Sequence, residues 1–271
     1  MKNDNSPLHL PTEEINSSSN NSFKIWRSLV NARGIKKNKL AIVSGEKIIN
    51  ELFKNKKDII RNVILSSNEK SSRFDNFTIL SELTELSNIK FIKLKNDLFR
   101  EIDILGTKNP LLIVEIPEYE SYDPATFNEN VLPILPFQDP VNVGAVVRTA
   151  AAFGIRKIML LKEAAIPYHP KSIRASAAQV FNMDFIDGPS INKIENMGIP
   201  LVTLSAAGKN IKDFEFPEKY ALLAGIEGPG IPDNLNPDFT VSIKMQPYVE
   251  SLNAAISVSI ALYEWRKRNP L

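Results

Sequence analysis

Three short segments in the second half of the chain hold the polar residues that could do chemistry. The first, PFQDPVNVGAVVRTAAAFGI, turns at Asp139-Pro140 and carries Asn142, Gly144 and Arg148. Arg148 follows Asn142 by six residues, a little under two helical turns, so one side of a helix could present both an amide and a guanidinium. The second, LLAGIEGPGIPDNL, runs a strand of small and apolar residues into Gly225, Glu227, Gly228 and Gly230. Glycines there let a ligand approach the backbone, and Glu227 would stand at the carboxyl end of a strand, where open α/β sheets bind ligands. The third, VSIKMQPYVESLNAAISVSIALYEW, ends a strand at Pro247 and sets Ser251 and Asn253 before a long helix. Amides, a hydroxyl, a guanidinium and a carboxylate suit the positioning of a substrate and the stabilisation of developing charge. Each segment also has a purely structural alternative: an N-capped amphipathic helix with an exposed Arg, a Gly-rich turn, and a helix cap supplied by Ser251 or Asn253.

Composition narrows the chemistry further. The chain has no Cys and two His among 271 residues, which removes disulfide frameworks, Cys nucleophiles and Cys-based zinc sites. His9 lies in a polar leader, so a Ser-His-Asp triad would rest on His169 alone, and no nucleophile-elbow motif accompanies it. A His-rich metal site is not available, and no metal is expected. No G-x-G-x-x-G or G-x-x-x-x-G-K-[ST] run follows a strand, which argues against dinucleotide and P-loop sites. The first twenty residues lack an apolar signal core, and no run approaches the about 18 apolar residues of a membrane span. A cytoplasmic protein without a membrane partner is the expectation.

The elements that must position these segments form two α/β units. In the first, LAIVSG, RNVILSS, KFIKL and LLIVEI read as strands, with EKIINELFKN and FTILSELTEL as helices between them. In the second, VLPILPF, KIMLL, PLVTLSA, YALLAGI and FTVSIKM are strand candidates, and SLNAAISVSIALYEWRKR is a helix with a basic last turn. Five strands alternating with helices predict an α/β fold with a mostly parallel, doubly wound sheet and helices on both faces. The domain boundaries expected are a disordered leader over 1–23, a first domain over 24–116, a linker over 117–130 and a second domain over 131–271. The linker assignment rests on the turn formers and scarce apolar residues of PEYESYDPATFNEN.

Charge is unevenly spread. Between Lys24 and Arg61 there are eleven Lys/Arg against three acids (Glu46, Glu51 and Asp58), an excess of eight on a chain whose net charge is +2. A concentrated basic stretch is what phosphate-backbone binding uses, although a solvated helical face would look the same.

Taken together and in this order, DPVNVGAVVRTAAAFG, AGIEGPGI and SIKMQPYVESLNAAISVSIALYE resemble the three motifs of the SpoU/TrmH family of RNA ribose 2′-O-methyltransferases, within the SPOUT superfamily. The resemblance covers residues 131–268, including SIRASAAQVFNMDF. Residues 24–116 are similar to the family's small RNA-binding extension, with Ser44-Gly45 where family members often carry an acid before Gly. It implies a C-terminal domain closed by a trefoil knot, a type of topology that chain physics alone would not suggest. It implies S-adenosylmethionine as methyl donor, held by Leu204 or Ser205, Gly225, Ile226, Ile243, Met245 and Leu252. It places the family's polar motif residues on Asn142, Arg148, Glu227, Ser251 and Asn253, and it implies a homodimer with sites near the subunit interface.

The implied reaction is 2′-O-methylation of a ribose in structured RNA, rRNA ahead of tRNA. A sulfonium donor is already activated, so the protein mainly positions a hydroxyl and handles its proton, which needs neither His nor Cys. Guanidinium is a poor base, so an electrostatic role for Arg148 is favoured over proton abstraction. Glu227 is expected to orient Arg148, Asn142 or the loop rather than to act as base. Two other readings stand beside this one: a non-catalytic RNA-binding or ribosome-assembly factor on the same fold, and a base methyltransferase from elsewhere in the superfamily.

Overall fold

A computed structural model describes residues 12–67, 89–195, 197–226 and 228–270. The chain divides into two compact units, one of residues 1–117 with 168–170 and one of residues 118–167 with 171–271. The helix expected over FTILSELTEL lies outside the described residues.

The first unit is built on a five-stranded sheet. Its elements are β1 (Thr12–Ile15), α1 (Asn21–Ser28), α2 (Ala32–Asn38), β2 (Leu40–Ser44), α3 (Glu46–Asn55), β3 (Ile60–Ser66), β4 (Lys90–Leu94), α4 (Asn96–Ile102) and β5 (Leu111–Glu115). The strand order is β1-β4-β3-β5-β2; β1, β4 and β3 run parallel, and β5 is antiparallel to both β3 and β2. The apolar spacing read in EKIINELFKN buries Ile49, Leu52 and Phe53 on one side of α3. Residues 12–23, expected to belong to a disordered leader over 1–23, are ordered instead. Thr12–Ile15 adds an edge strand in register with Phe91–Leu94, and Asn20 Oδ1 caps α1 by accepting from Phe23 N. A strand whose partner lies some eighty positions away leaves no periodicity that would reveal it.

The second unit carries the three motif segments. Its elements are β6 (Glu120–Ser121), β7 (Val131–Leu135), α5 (Pro140–Ala152), β8 (Lys157–Leu160), α6 (Pro170–Ala175), β9 (Asp184–Asp187), β10 (Leu201–Asn210), β11 (Tyr220–Ala224), β12 (Phe239–Ser242) and α7 (Ala254–Arg268). The seven strands are ordered β12-β10-β11-β7-β8-β9-β6, and every neighbouring pair is parallel. All five residues of β7 and of β11 are buried, the pattern of central strands covered on both faces. Pro133 is tolerated within β7 because it aligns with Leu222 of β11 while the ladder to β8 starts only at Ile134.

The linker expected over 117–130 belongs instead to this unit. Glu120 and Ser121 pair with Ile186 and Asp187, Tyr122 Oη donates to Met197 O at 2.8 Å, and Phe127 is buried in the core. Turn formers dominate that stretch, but three aromatic side chains anchor it: the ring of Tyr119 lies 5.9 Å from that of Phe185, and Tyr122 and Phe127 are also 5.9 Å apart.

One feature of β10 matters for the site. Leu204 and Lys209 both align with Val241 of β12, so residues 205–208 leave the ladder and return to it, and Ser242 Oγ donates to Gly208 O at 2.8 Å.

Candidate active site

Helix α5 begins as the sequence suggested. Asp139 Oδ1 accepts from Val141 N at 2.8 Å, and Pro140 occupies the first turn, where a missing N–H costs nothing. The helix expected from Ser251 starts at Ala254, and of the two capping candidates Asn253 is the one used. Its Oδ1 accepts from Ala255 N at 2.9 Å and from Ile256 N at 3.1 Å. The amide has a second use: Asn253 Nδ2 donates to Asn142 Oδ1 at 3.0 Å, joining the first turn of α5 to the cap of α7. Further along, Thr149 Oγ1 and Ser259 Oγ share a hydrogen bond of 3.0 Å, and the Arg266 guanidinium donates to Phe153 O. The contacts advance in the same direction on both helices, so α5 and α7 lie side by side and parallel.

Beside the excursion of β10 and beyond the ends of β11 and β12 lies a cavity of about 440 Å³. All seven residues that the resemblance assigned to a donor cradle line it: Leu204, Ser205, Gly225, Ile226, Ile243, Met245 and Leu252. Three stretches of irregular backbone make its wall: the excursion of β10, the turn after β11, and the segment before α7. The turn after β11 closes on itself, with Ile226 N donating to Gly230 O at 3.0 Å and Gly230 N to Ile226 O at 2.9 Å. An ideal Cβ at Gly225 would stand 2.5 Å from Gly230 C and 2.9 Å from Ile231 N. Gly225 is therefore required by the chain's own fold-back, whereas the sequence suggested that a ligand would come to its backbone.

Of the five polar motif residues, Ser251 and Asn253 line the cavity, and Asn142 is joined to it through Asn253. Arg148 is not brought into the cavity. It is exposed on α5, six residues and about 9 Å of helical rise beyond Asn142, and rotated some 120° from it. Glu227 lies outside the described residues. Sequence reasoning missed Glu250, a carboxylate on the cavity wall immediately before Ser251, and Ile231, an apolar wall residue just past the glycine turn. The only signal for Glu250 in the sequence is its place immediately before Ser251-Leu252-Asn253, where an acid also reads as part of a helix cap.

Chemically, the cavity offers apolar side chains from Leu204, Ile226, Ile243 and Leu252, backbone groups outside regular ladders, and a polar end at Glu250, Ser251 and Asn253. Such walls suit a planar base held edge-on by backbone amides, with polar and charged parts of the same ligand at the other end. No cluster of three or more metal-ligating side chains occurs among the described residues, and none of their helices is long and apolar enough to cross a membrane.

Known proteins agree with this architecture. Residues 130–263 match the SpoU rRNA Methylase family. A ribosomal RNA small subunit methyltransferase G 2 of Syntrophobacter fumaroxidans is 36% identical over 255 residues, which are 94% of this chain and 49% of that protein, so the chain spans about half the length of this relative. The 23S rRNA (uridine(2479)-2′-O)-methyltransferase of Streptomyces viridochromogenes is 30% identical over 68% of this chain and 69% of its own length. The crystal structure of the SpoU methyltransferase AviRb from the same organism, in complex with the cofactor AdoMet, superposes with a TM-score of 0.74 at 25% identity, covering 93% of this chain and 99% of that one. With the parallel sheet, the motif-bearing turns and these similarities in hand, the chain belongs to the SpoU rRNA methylase family of the SPOUT superfamily.

Proposed function

We propose that this protein transfers a methyl group from S-adenosylmethionine to a ribose 2′-hydroxyl of ribosomal RNA. The observation that carries the reading is the cavity beside the excursion of β10 and the ends of β11 and β12, which gathers every residue expected to hold the donor and sets Ser251 and Asn253 at its polar end. The relative that methylates a 23S rRNA uridine ribose and the AdoMet complex of AviRb support it.

The donor, when bound, supplies a methyl group already activated by its sulfonium. The residues of this chain then have three tasks: to hold the nucleoside part of the donor, to align the ribose hydroxyl, and to accommodate the negative charge that grows on its oxygen. Leu204, Ile226, Ile243, Met245 and Leu252 supply the first, with Gly225 shaping the turn. The Asn142–Asn253 pair fixes two amides relative to each other and so orients the polar end. Arg148, exposed and without an ion pair among the described residues, is free to meet RNA from the solvent side, holding a phosphate and stabilising the developing alkoxide. Glu227, outside the described residues, is assigned on the resemblance alone to orienting Arg148, Asn142 or the loop.

The same reading extends to assembly. The RNA-docking module is the first unit, whose excess of positive charge lies between Lys24 and Arg61. A trefoil knot in the second unit, as the resemblance implies, belongs to the same reading. The chain acts in the cytoplasm as a homodimer through the outer face of α7, where Ile256 and Tyr263 remain 52% and 55% exposed. Ile256→Glu combined with Tyr263→Glu is expected to convert the dimer into a monomer in light scattering. An unchanged mass would move the interface elsewhere.

Incubating the protein with S-adenosylmethionine and protein-free rRNA, followed by nucleoside analysis, tests the reaction itself. A 2′-O-methylnucleoside is expected. A methylated base would point to another branch of the superfamily, and the absence of any product to an assembly factor.

The double use of Asn253 gives a second test. Asn253→Asp keeps an acceptor for Ala255 N and Ile256 N, next to the positive end of the helix dipole, but cannot donate to Asn142. Asn253→Ala loses both and should cost about 1 kcal/mol of stability. Turnover should fall in both variants while only the alanine form melts earlier. Full activity in Asn253→Asp would reduce Asn253 to a cap.

A further inference from the structure

The first unit contains a cavity that the proposed reaction does not use. It measures about 610 Å³ and opens between α1 and α2. Lys24, Arg33 and Lys37 line it, with Ile25, Asn31 and Asn38 between them, and no carboxylate is among its lining residues. Its walls are fixed by close backbone packing. An ideal Cβ on Gly34 would stand 2.0 Å from Ser28 O, so the two helices touch backbone to backbone there. Asn38 Nδ2 donates to Gly34 O at 2.8 Å and to Ser28 Oγ at 3.1 Å, and Ser28 Oγ donates to Ile25 O at 2.6 Å.

The charges in this cleft are uncompensated. Elsewhere in the basic stretch, Arg27 pairs with Glu101 at 3.6 Å, and Arg61 forms a two-pronged pair with Glu115. Lys24, Arg33 and Lys37 form no ion pair among the described residues, and all three are exposed. Arg33 and Lys37 are four residues apart on α2, so they stand on one face of the helix, about 5–6 Å apart at Cβ. Ile25, 40% exposed, adds an apolar surface between the cations. Holding three cations together without acids costs self-repulsion, which an anionic chain relieves.

We infer that the α1–α2 cleft is the grip on the RNA backbone, in which Lys24, Arg33 and Lys37 take neighbouring phosphodiester groups and Ile25 packs against a ribose or base. This deepens the reading of the protein as an RNA methyltransferase and rests on it. Repeated negative charge along one polymer matches three separate cations around an open cleft. Arg33 supplies a planar fork that grips two phosphate oxygens, and the lysines act as point charges. Asn31 and Asn38 add polar contacts to sugar hydroxyls. Binding here does not read sequence, so the cleft orients the RNA while the second unit selects the ribose.

The test uses the full chain with a protein-free 23S rRNA transcript as probe. The variant Lys24→Gln/Arg33→Gln/Lys37→Gln is compared with Lys54→Gln/Lys56→Gln/Lys57→Gln, which removes as many charges from the same unit outside the cleft. The cleft variant is expected to lose roughly tenfold or more in RNA affinity, and its slope of log affinity against log salt should fall by about two. Its affinity for S-adenosylmethionine, its melting temperature and its kcat at saturating RNA should stay at the wild-type values. Equal losses in both variants would mean a diffuse field rather than a built cleft, and no loss in the cleft variant would overturn the assignment outright. The two readings fail separately. A wild-type protein that binds the transcript through the cleft but methylates nothing refutes the reaction alone, whereas methylation at subsaturating RNA that is unaffected by the cleft substitutions refutes the grip alone.

Discussion

Replacing Arg148 with alanine is expected to remove methyl transfer, by about a thousandfold or more, while S-adenosylmethionine binds as in the wild type. The two effects separate because of where the residue sits. Arg148 is exposed on α5 and does not line the donor cavity, so its loss leaves the walls at Leu204, Ile226, Ile243 and Leu252 unchanged. Stability should also hold within about 0.5 kcal/mol, as for other exposed positions without a partner. What disappears is the cation available to RNA at that face. Arg148→Lys keeps the charge but not the planar fork, and it should recover only a small part of the rate. Calorimetric titration with S-adenosylmethionine and single-turnover methylation of rRNA measure the two quantities independently. Wild-type turnover in Arg148→Ala would remove the guanidinium from the mechanism. A parallel loss of donor binding would place it in the cradle.

How much of this was legible in the sequence depends on the range of the interaction involved. The five main strands of the second unit and its last helix announce themselves through local runs such as VLPILPF and YALLAGI. The parallel sheet follows from their alternation with helices, and the motif segments fall where those strands end. That Leu204, Gly225, Ile226, Ile243 and Leu252 would line one cavity was readable only through the motif resemblance, since nothing in Ile243 or Leu252 taken singly marks a site. Elements fixed by distant partners were invisible. Thr12–Ile15 is a strand because Phe91–Leu94 is there to receive it, and Glu120–Ser121, two residues long, because β9 presents Ile186 and Asp187. The hairpin of α1 and α2 escaped for a different reason. Each helix is at most eight residues long, and α2 buries only Gly34 and Ile35, too few positions to set a period. Arg148 shows the opposite failure. Its spacing from Asn142 suggested a shared side, whereas six residues turn it a third of the way around the helix.

Substituting Gly225 with valine is expected to weaken S-adenosylmethionine binding by more than tenfold, over 1.4 kcal/mol, and to lower the melting temperature at the same time. The sequence alone suggested a different outcome, a side chain that meets only the ligand and leaves the fold intact. The structure changes the reason. The first atom of any side chain at Gly225 would lie 2.5 Å from Gly230 C and 2.7 Å from Gly230 Cα, both backbone atoms of a turn closed by two hydrogen bonds. Backbone held in this way cannot swing aside as a flexible side chain would, so the turn as a whole must shift. Ile226 and Ile231 shift with it, and both line the donor cavity. Overpacking of this kind costs about 1–3 kcal/mol, which for a chain of this size lowers the melting temperature by roughly 2–4 °C per kcal/mol. The alanine variant decides between the two causes. A lone methyl group already collides with Gly230, so Gly225→Ala should show most of both effects. If it binds the donor and melts like the wild type while Gly225→Val binds poorly, the obstruction is with the ligand and the fold-back at Gly230 yields. If both variants melt early but bind the donor normally below their melting range, the turn is structural only and the cavity is not the donor site.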